Sequence, residues 1–222
     1  MKDSFLKILQ LEGTKPYFEN IIKVLKKAEE DNEVIFPHQT NLFKPFEYFQ
    51  TYETKLIILG QDPYPGINIA DGLAFSTGHI KTPASLKNIF IELKKDYPNV
   101  KIGTNSLLGW AKQKILLLNS VFTVVMNQPN SHRKIGWEEF VKSIIIEIIK
   151  ANENVLILTL GNQANYVLNQ VLKVAKLDPK NIFKLSHPSP LGYRHSFKDS
   201  HIFKTINNRL SELKIPEIDW NL

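Results

Sequence analysis

Five residues of this 222-residue chain are of types that do chemistry together: Asp62, Tyr64, Phe75, Asn119 and His187. Asp62 and Tyr64 stand in the string GQDPYPG (60–66), directly after the aliphatic run Leu56, Ile57, Ile58, Leu59. Two prolines leave that string too few free torsions and backbone donors to continue a strand or a helix, so a carboxylate and a phenol are held on a stiff loop. Phe75 lies in GLAFS, Asn119 ends LLLN, and His187 lies in SHPSP. A carboxylate, an amide, an imidazole and aromatic rings suit a planar polar ring with an electron-poor carbon beside it. Other chemistries lack their parts. No Ser sits in a GxSxG turn to serve an Asp–His pair. GxxxxGK[ST] is absent, as is GxGxxG after a strand, so phosphate-cradling nucleotide sites have no support. These loops offer too few His and carboxylate ligands for a metal.

Each residue also has a plainer reading. Asp62 before a proline forms turns, and Asn119 at a strand end does the same. His187 between Ser and Pro reads equally as a structural histidine, and Phe75 as a core aromatic. Their joint placement decides between the two, and that depends on the elements carrying them.

Unbroken aliphatic runs bounded by Gly, Pro or Asn suit strands covered on both faces. Four are present: Leu56 to Leu59, Ile115 to Leu118, Val155 to Leu160, and a shorter one from Asn181 to Leu185. Helical spacing marks Phe18, Ile21, Ile22 and Leu25 within a helix from Lys15 to Asp31. Thr82 before Pro83 predicts a helix start with Thr as N-cap, followed by a core face of Leu86, Ile89, Phe90 and Leu93. Trp137, Phe140, Val141, Ile144, Ile145 and Ile148 form another apolar stripe, Gly161 and Asn162 open a further helix, and a last one spans His201 to Leu213. The segment from Glu33 to Phe49, rich in aromatics without a period, reads as a packed loop. Strands alternating with helices predict an α/β fold: a single domain over residues 1–222, with a central four-stranded, mainly parallel sheet flanked by helices on both faces. Parallel strands then bring Asp62, Asn119, Asn162 and His187, each just past a strand's carboxyl end, to the one edge where ligands bind.

Composition sets wider bounds. Hydrophobic residues make up 43%, there is no internal repeat or low-complexity tract, and cysteine is absent, which excludes disulfides and thiolate metal sites. The first residues lack a secretory signal and no segment approaches the ~20 apolar residues of a membrane span. A soluble, cytoplasmic chain with no membrane partner is expected. The net charge of +6 permits a polyanionic partner without identifying one.

GQDPYPG, GLAFS, LLLNSV and HPSPL, in register with LFKPF, TPASL, GWEEF and PEIDW, make most of this chain resemble family 1 uracil-DNA glycosylase. The resemblance implies a monomer that excises uracil from single- and double-stranded DNA without a cofactor, leaving an abasic site. It also implies a proteinaceous glycosylase inhibitor as a partner. Asp62 matches the residue that positions the attacking water, and His187 the donor to uracil O2. Asn119 matches the specificity amide and Phe75 the stacking ring. Tyr64 matches the residue that excludes the thymine methyl, while the backbone of Gln61 contributes a further bond. Leu191 matches the side chain inserted into the vacated base stack. Ser85, Ser189, Gly161 and Asn162 match the phosphate-gripping positions, with Arg194 nearby and His132 as a DNA or supporting residue. His187 is expected to be neutral near pH 7, because a cation there would cancel part of the field of Asp62.

The chain departs from the family's usual pattern at Pro65 and Asp71, where His is usual, and at Asn162 and Gly192, where Ser is common. Two other readings stand beside excision of uracil: a glycosylase-like protein that binds DNA or a partner with weak or no catalysis, and the same chemistry with altered base choice.

Overall fold

The four aliphatic runs pair as one sheet. In the computed structural model, which describes residues 1–222, these are β2 (Leu56–Gly60), β3 (Ile115–Asn119), β5 (Leu156–Leu160) and β6 (Ile182–Leu185). They are arranged in the order β3-β2-β5-β6, and every neighbouring pair is parallel. Two shorter strands, β1 (Ile35–Phe36) and β4 (Val124–Val125), form a separate antiparallel pair. The helices are α1 (Asp3–Glu12), α2 (Pro16–Glu30), α3 (Ala84–Asp96), α4 (Leu108–Ala111), α5 (Trp137–Ala151), α6 (Asn162–Val171) and α7 (Ile202–Glu212).

Successive residues of a strand point to opposite faces, which explains why these runs are aliphatic throughout. On one face Ile57, Leu59, Leu116, Leu118 and Ile157 pack with Phe140, Ile144 and Ile148 of α5 and with Val167 and Leu168 of α6. On the other, Leu56, Ile58, Leu117 and Leu158 pack with Leu86, Ile89 and Leu93 of α3 and with Phe203, Ile206 and Leu210 of α7. The helix after β2 therefore covers one face and the helix after β5 covers the other. Because β2 and β5 are neighbours, their outgoing loops diverge and open a crevice at the carboxyl edge.

Two expectations are corrected, and one helix carries no clear sequence signal. The helix expected at Thr82 begins at Ala84, since Pro83 is still extended and the Thr82 hydroxyl donates across to Asn105 Oδ1 (2.8 Å) instead of capping. The expected loop over 33–49 contains β1 and short 3₁₀ turns, fixed by Phe46 and Phe49 packing around Phe5. Helix α1 buries only Phe5, Ile8 and Glu12, too few apolar positions to print a period, and it is held by long-range bonds such as Lys2 N to Phe46 O (2.7 Å).

Candidate active site

The ends of β2 and β3 are tied together before any functional side chain is placed. Gly60 O accepts from both the backbone N–H (3.1 Å) and the hydroxyl (2.8 Å) of Ser120, and Gln61 O accepts from Val121 N (3.0 Å). Gly60 pairs with Asn119 across the two strands. A Cβ on Gly60 would lie 2.6 Å from Asn119 Oδ1 and 2.9 Å from the Phe75 ring, so a glycine there lets the amide and the ring close over the strand end.

Asp62 projects into the space beyond. Its Oδ2 accepts from Asn130 N (2.7 Å), while Gln61 Nε2 donates to Asn130 Oδ1 (2.9 Å), so one asparagine braces both residues. Burial pushes the Asp62 carboxyl above the ordinary carboxylate range, and the Asn130 N–H pulls the other way. Asn130 was missed in the sequence. Its signal is faint: Asn127 and Asn130 both take positive φ (60° and 63°), as Asn-rich turns do, and nothing local points from that turn to Asp62.

Phe75 is held in the left-handed region at φ 64°, a conformation that costs a bulky residue about 1–3 kcal/mol. Two contacts maintain it. The Tyr64 hydroxyl donates to Phe75 O (3.0 Å), and Asp71 fixes the preceding turn by accepting from Leu73 N (3.1 Å) and the Ser76 hydroxyl (2.7 Å). Lys44 Nζ donates to Asp71 O (2.8 Å) and lies 3.6 Å from its carboxylate. Burial holds the Tyr64 phenol protonated well beyond its ordinary range.

His187 follows β6 and leans against Phe75, with ring centroids 5.7 Å apart. It is seated between two glycines. A Cβ on Gly161 (φ 101°) would meet the His187 side chain at 3.1 Å, and one on Gly192 would meet His187 O at 2.3 Å. Ser189 N donates to His187 Nδ1 (3.1 Å), so Nδ1 accepts and the ring proton of the neutral imidazole sits on Nε2. Burial lowers the His187 pKa, which also favours the neutral ring.

Asp62, Tyr64, Phe75, Asn119, His187 and Ser85 all line one cavity of about 110 Å³. One water needs roughly 10–15 Å³ by that measure, so the space admits a single small ring. A second, open groove of about 810 Å³ shares His187 with it and continues past Gln61, Asn130, Asn162 and Leu191. No group of three or more His, Asp or Glu side chains is placed to hold a metal ion.

The family model described as the uracil DNA glycosylase superfamily matches residues 46–211. The chain belongs to that superfamily. Among curated relatives it is 40% identical over 221 residues to the uracil-DNA glycosylase of Mesomycoplasma hyopneumoniae, covering 100% of this chain and 99% of that one. It is 41% identical over 213 residues to that of Mycoplasmopsis pulmonis, covering 95% and 94%. Among solved structures, mimivirus uracil-DNA glycosylase superposes with a TM-score of 0.89 at 26% identity, covering 100% of this chain and 87% of that one. A mimivirus UNG variant in complex with UGI superposes at 0.88 and 25%.

Two of the chain's departures from the family pattern have a structural reason. Asp71 supplies a carboxylate that ties down the turn before Phe75. Gly192 removes a hydroxyl but permits the close approach to His187 O. At the rim, Leu191 is 91% exposed, and Asn162 and Arg194 are exposed. Ser189 is half-buried, its N–H committed to His187. Gly161 is buried beneath His187, so the solvent-facing member of that loop is Asn162. His132 is corrected as a DNA contact. It is 4% exposed, its Nδ1 within 2.9 Å of the Thr123 hydroxyl, which Trp137 Nε1 also reaches (2.7 Å). No helix is long and apolar enough to cross a membrane.

Proposed function

We propose that the chain hydrolyses the N-glycosidic bond of uracil in DNA, in single strands and in duplexes, after extruding the nucleotide. The observation that carries this reading is the single cavity in which the Asp62 carboxylate, the Asn119 amide and a His187 with its proton on Nε2 converge. Breaking the bond leaves negative charge on the ring and positive charge on the sugar. Nε2–H donates to uracil O2 as that charge grows, a preorganised donor of the kind that usually supplies the largest catalytic term. Asp62, already desolvated, favours the cationic sugar and orients the attacking water. Burial raises its pKa, the mark of a charge that a neighbouring cation would stabilise.

Asn119 pairs with N3–H and O4 of uracil and is mispaired by cytosine, which presents the opposite pattern. A site built for polar edges rejects such an analogue strongly, because buried groups are left unpaired. Phe75 stacks on the base, Tyr64 fills the space beside C5, and the Gln61 backbone adds a ring contact. Leu191 fills the gap left in the base stack, with Ser85, Ser189, Asn162 and Arg194 along the phosphates.

Residues 1–222 act as one domain and as a monomer, in the cytoplasm where an uncovered DNA substrate and a cysteine-free chain fit. A proteinaceous inhibitor is a further partner in this reading, supported by the similar mimivirus UNG variant having been solved in complex with UGI. Labelled DNA bearing one U, T or C, treated with alkali after incubation, tests the reading. Scission at U alone is expected. Binding without scission would favour a non-catalytic role, and scission at T or C an altered base choice.

A further inference from the structure

Helix α3 carries a polar stripe that faces inward. Asn88, Glu92 and Asp96 are spaced by four, so they share one side of the helix. Glu92 and Asp96 are each only 2% exposed. A buried carboxylate is costly unless it is bonded, and all the long-range partners of these three lie in one segment, 188–204. Asn88 Nδ2 donates to Pro188 O (2.7 Å). Glu92 accepts from the Tyr193 hydroxyl, from Asp199 N (2.7 Å) and from Lys95 Nζ (2.7 Å), and Lys95 bridges on to Asp199 (2.6 Å). Asp96 accepts from Phe203 N (3.0 Å) and Lys204 N (3.2 Å), and lies 2.7 Å from His201 Nδ1.

That segment begins one residue after His187 and includes Leu191. Within it Gly192 N and Tyr193 N both donate to Ser189 O (3.0 and 2.8 Å), so a hold on Tyr193 is a hold on the turn that presents Leu191. Ser85, at the start of the same helix, lines the cavity.

We propose that Glu92, acting through Tyr193 and Asp199, is a positioning residue that presets the Leu191 turn for entry into duplex DNA. The inference rests on the uracil-excision reading and adds a residue set to it. Glu92 touches neither base nor phosphate. It lowers the entropy lost when an exposed turn is fixed against a duplex, a cost that arises only where a stack must be entered. Duplex excision therefore depends on this contact, while excision from single strands does not.

Two mild variants test it, Tyr193→Phe and Glu92→Gln, together with the double variant. A buried bond to a charged group is strong enough that each single variant should slow excision from duplex U-containing DNA about tenfold. Single-strand excision should stay within about twofold of the parent, and the double variant should be no worse than the worse single one, as for two ends of one contact. Hydrogen exchange on the DNA-free protein supplies a readout independent of activity: the amides of Gly192 and Tyr193 should exchange faster while those of β2 and β5 keep their protection. Equal losses on both substrates, or exchange unchanged in the turn or raised evenly across the chain, would overturn the proposal. A parent protein that excises uracil from neither substrate would instead refute the functional reading, with the exchange arm still deciding whether Glu92 holds the turn.

Discussion

The two depressions that meet at His187 are built on opposite principles. In the closed cavity the candidate site residues are secured from behind: Asp62 by Asn130, Phe75 by Tyr64 and Asp71, His187 by Ser189 and by two glycines. In the open groove Asn162, Arg133, Lys184, His195 and Leu191 face solvent. On the proposed function, the difference follows from what each would recognise. Telling uracil from cytosine depends on polar atoms that cannot turn to suit the wrong base, so rigidity is the source of selectivity. Gripping phosphates is independent of sequence, and exposed side chains serve that purpose.

Substitutions should separate the two regions by size of effect. Asp62→Asn should be the most severe, lowering kcat about 10²–10³-fold on single and double strands alike in a single-turnover assay. The same change should raise stability at neutral pH. Burial lifts the folded-state pKa of Asp62 above its unfolded value, so its charged form is penalised by folding; that penalty is absent below the unfolded pKa, grows as pH rises and is complete above the folded pKa. Thermal unfolding should show Asp62→Asn with the higher midpoint at pH 7 and the advantage shrinking as pH falls into the ordinary carboxylate range. A lower midpoint at pH 7 would contradict the picture of a poorly solvated carboxylate.

Tyr64→Ala comes next. It opens space beside C5 and removes the bond to Phe75 O, so thymine should become a substrate while excision of uracil slows; unchanged base choice in the alkali assay would refute the assignment. Leu191→Ala should act only where a stack exists, slowing duplex excision about tenfold, since extrusion costs a few kcal/mol, and leaving single strands unaffected. Its unfolding midpoint should not move, because the side chain is 91% exposed. Arg194→Gln should have the smallest effect, a uniform weakening of binding that lowers the slope of log affinity against log salt by about 1.

Much of the candidate site's convergence was legible in the sequence. The aliphatic runs, the prolines of GQDPYPG and the residue types at each strand end are local features, and burial on both faces of a parallel sheet leaves a pattern that needs no knowledge of neighbours. The same locality explains the errors at the edges. Thr82 carries the mark of a cap, and only the presence of Asn105 diverts its hydroxyl. His132, in SHRKIGW, reads as a DNA or supporting residue, and only its enclosure with Thr123 and Trp137 removes the DNA contact.

What the chain determined by itself was which groups would stand at the ends of its strands and which could not extend a helix or a strand. The tertiary structure decided how those groups are held: the order β3-β2-β5-β6, the bond that fixes the His187 tautomer, the brace from Asn130 to an aspartate 68 positions away, and the α3 stripe behind the Leu191 turn. Backbone preference acts over a few residues, whereas the partner of a buried polar atom is whichever segment the packing of the whole chain brings beside it.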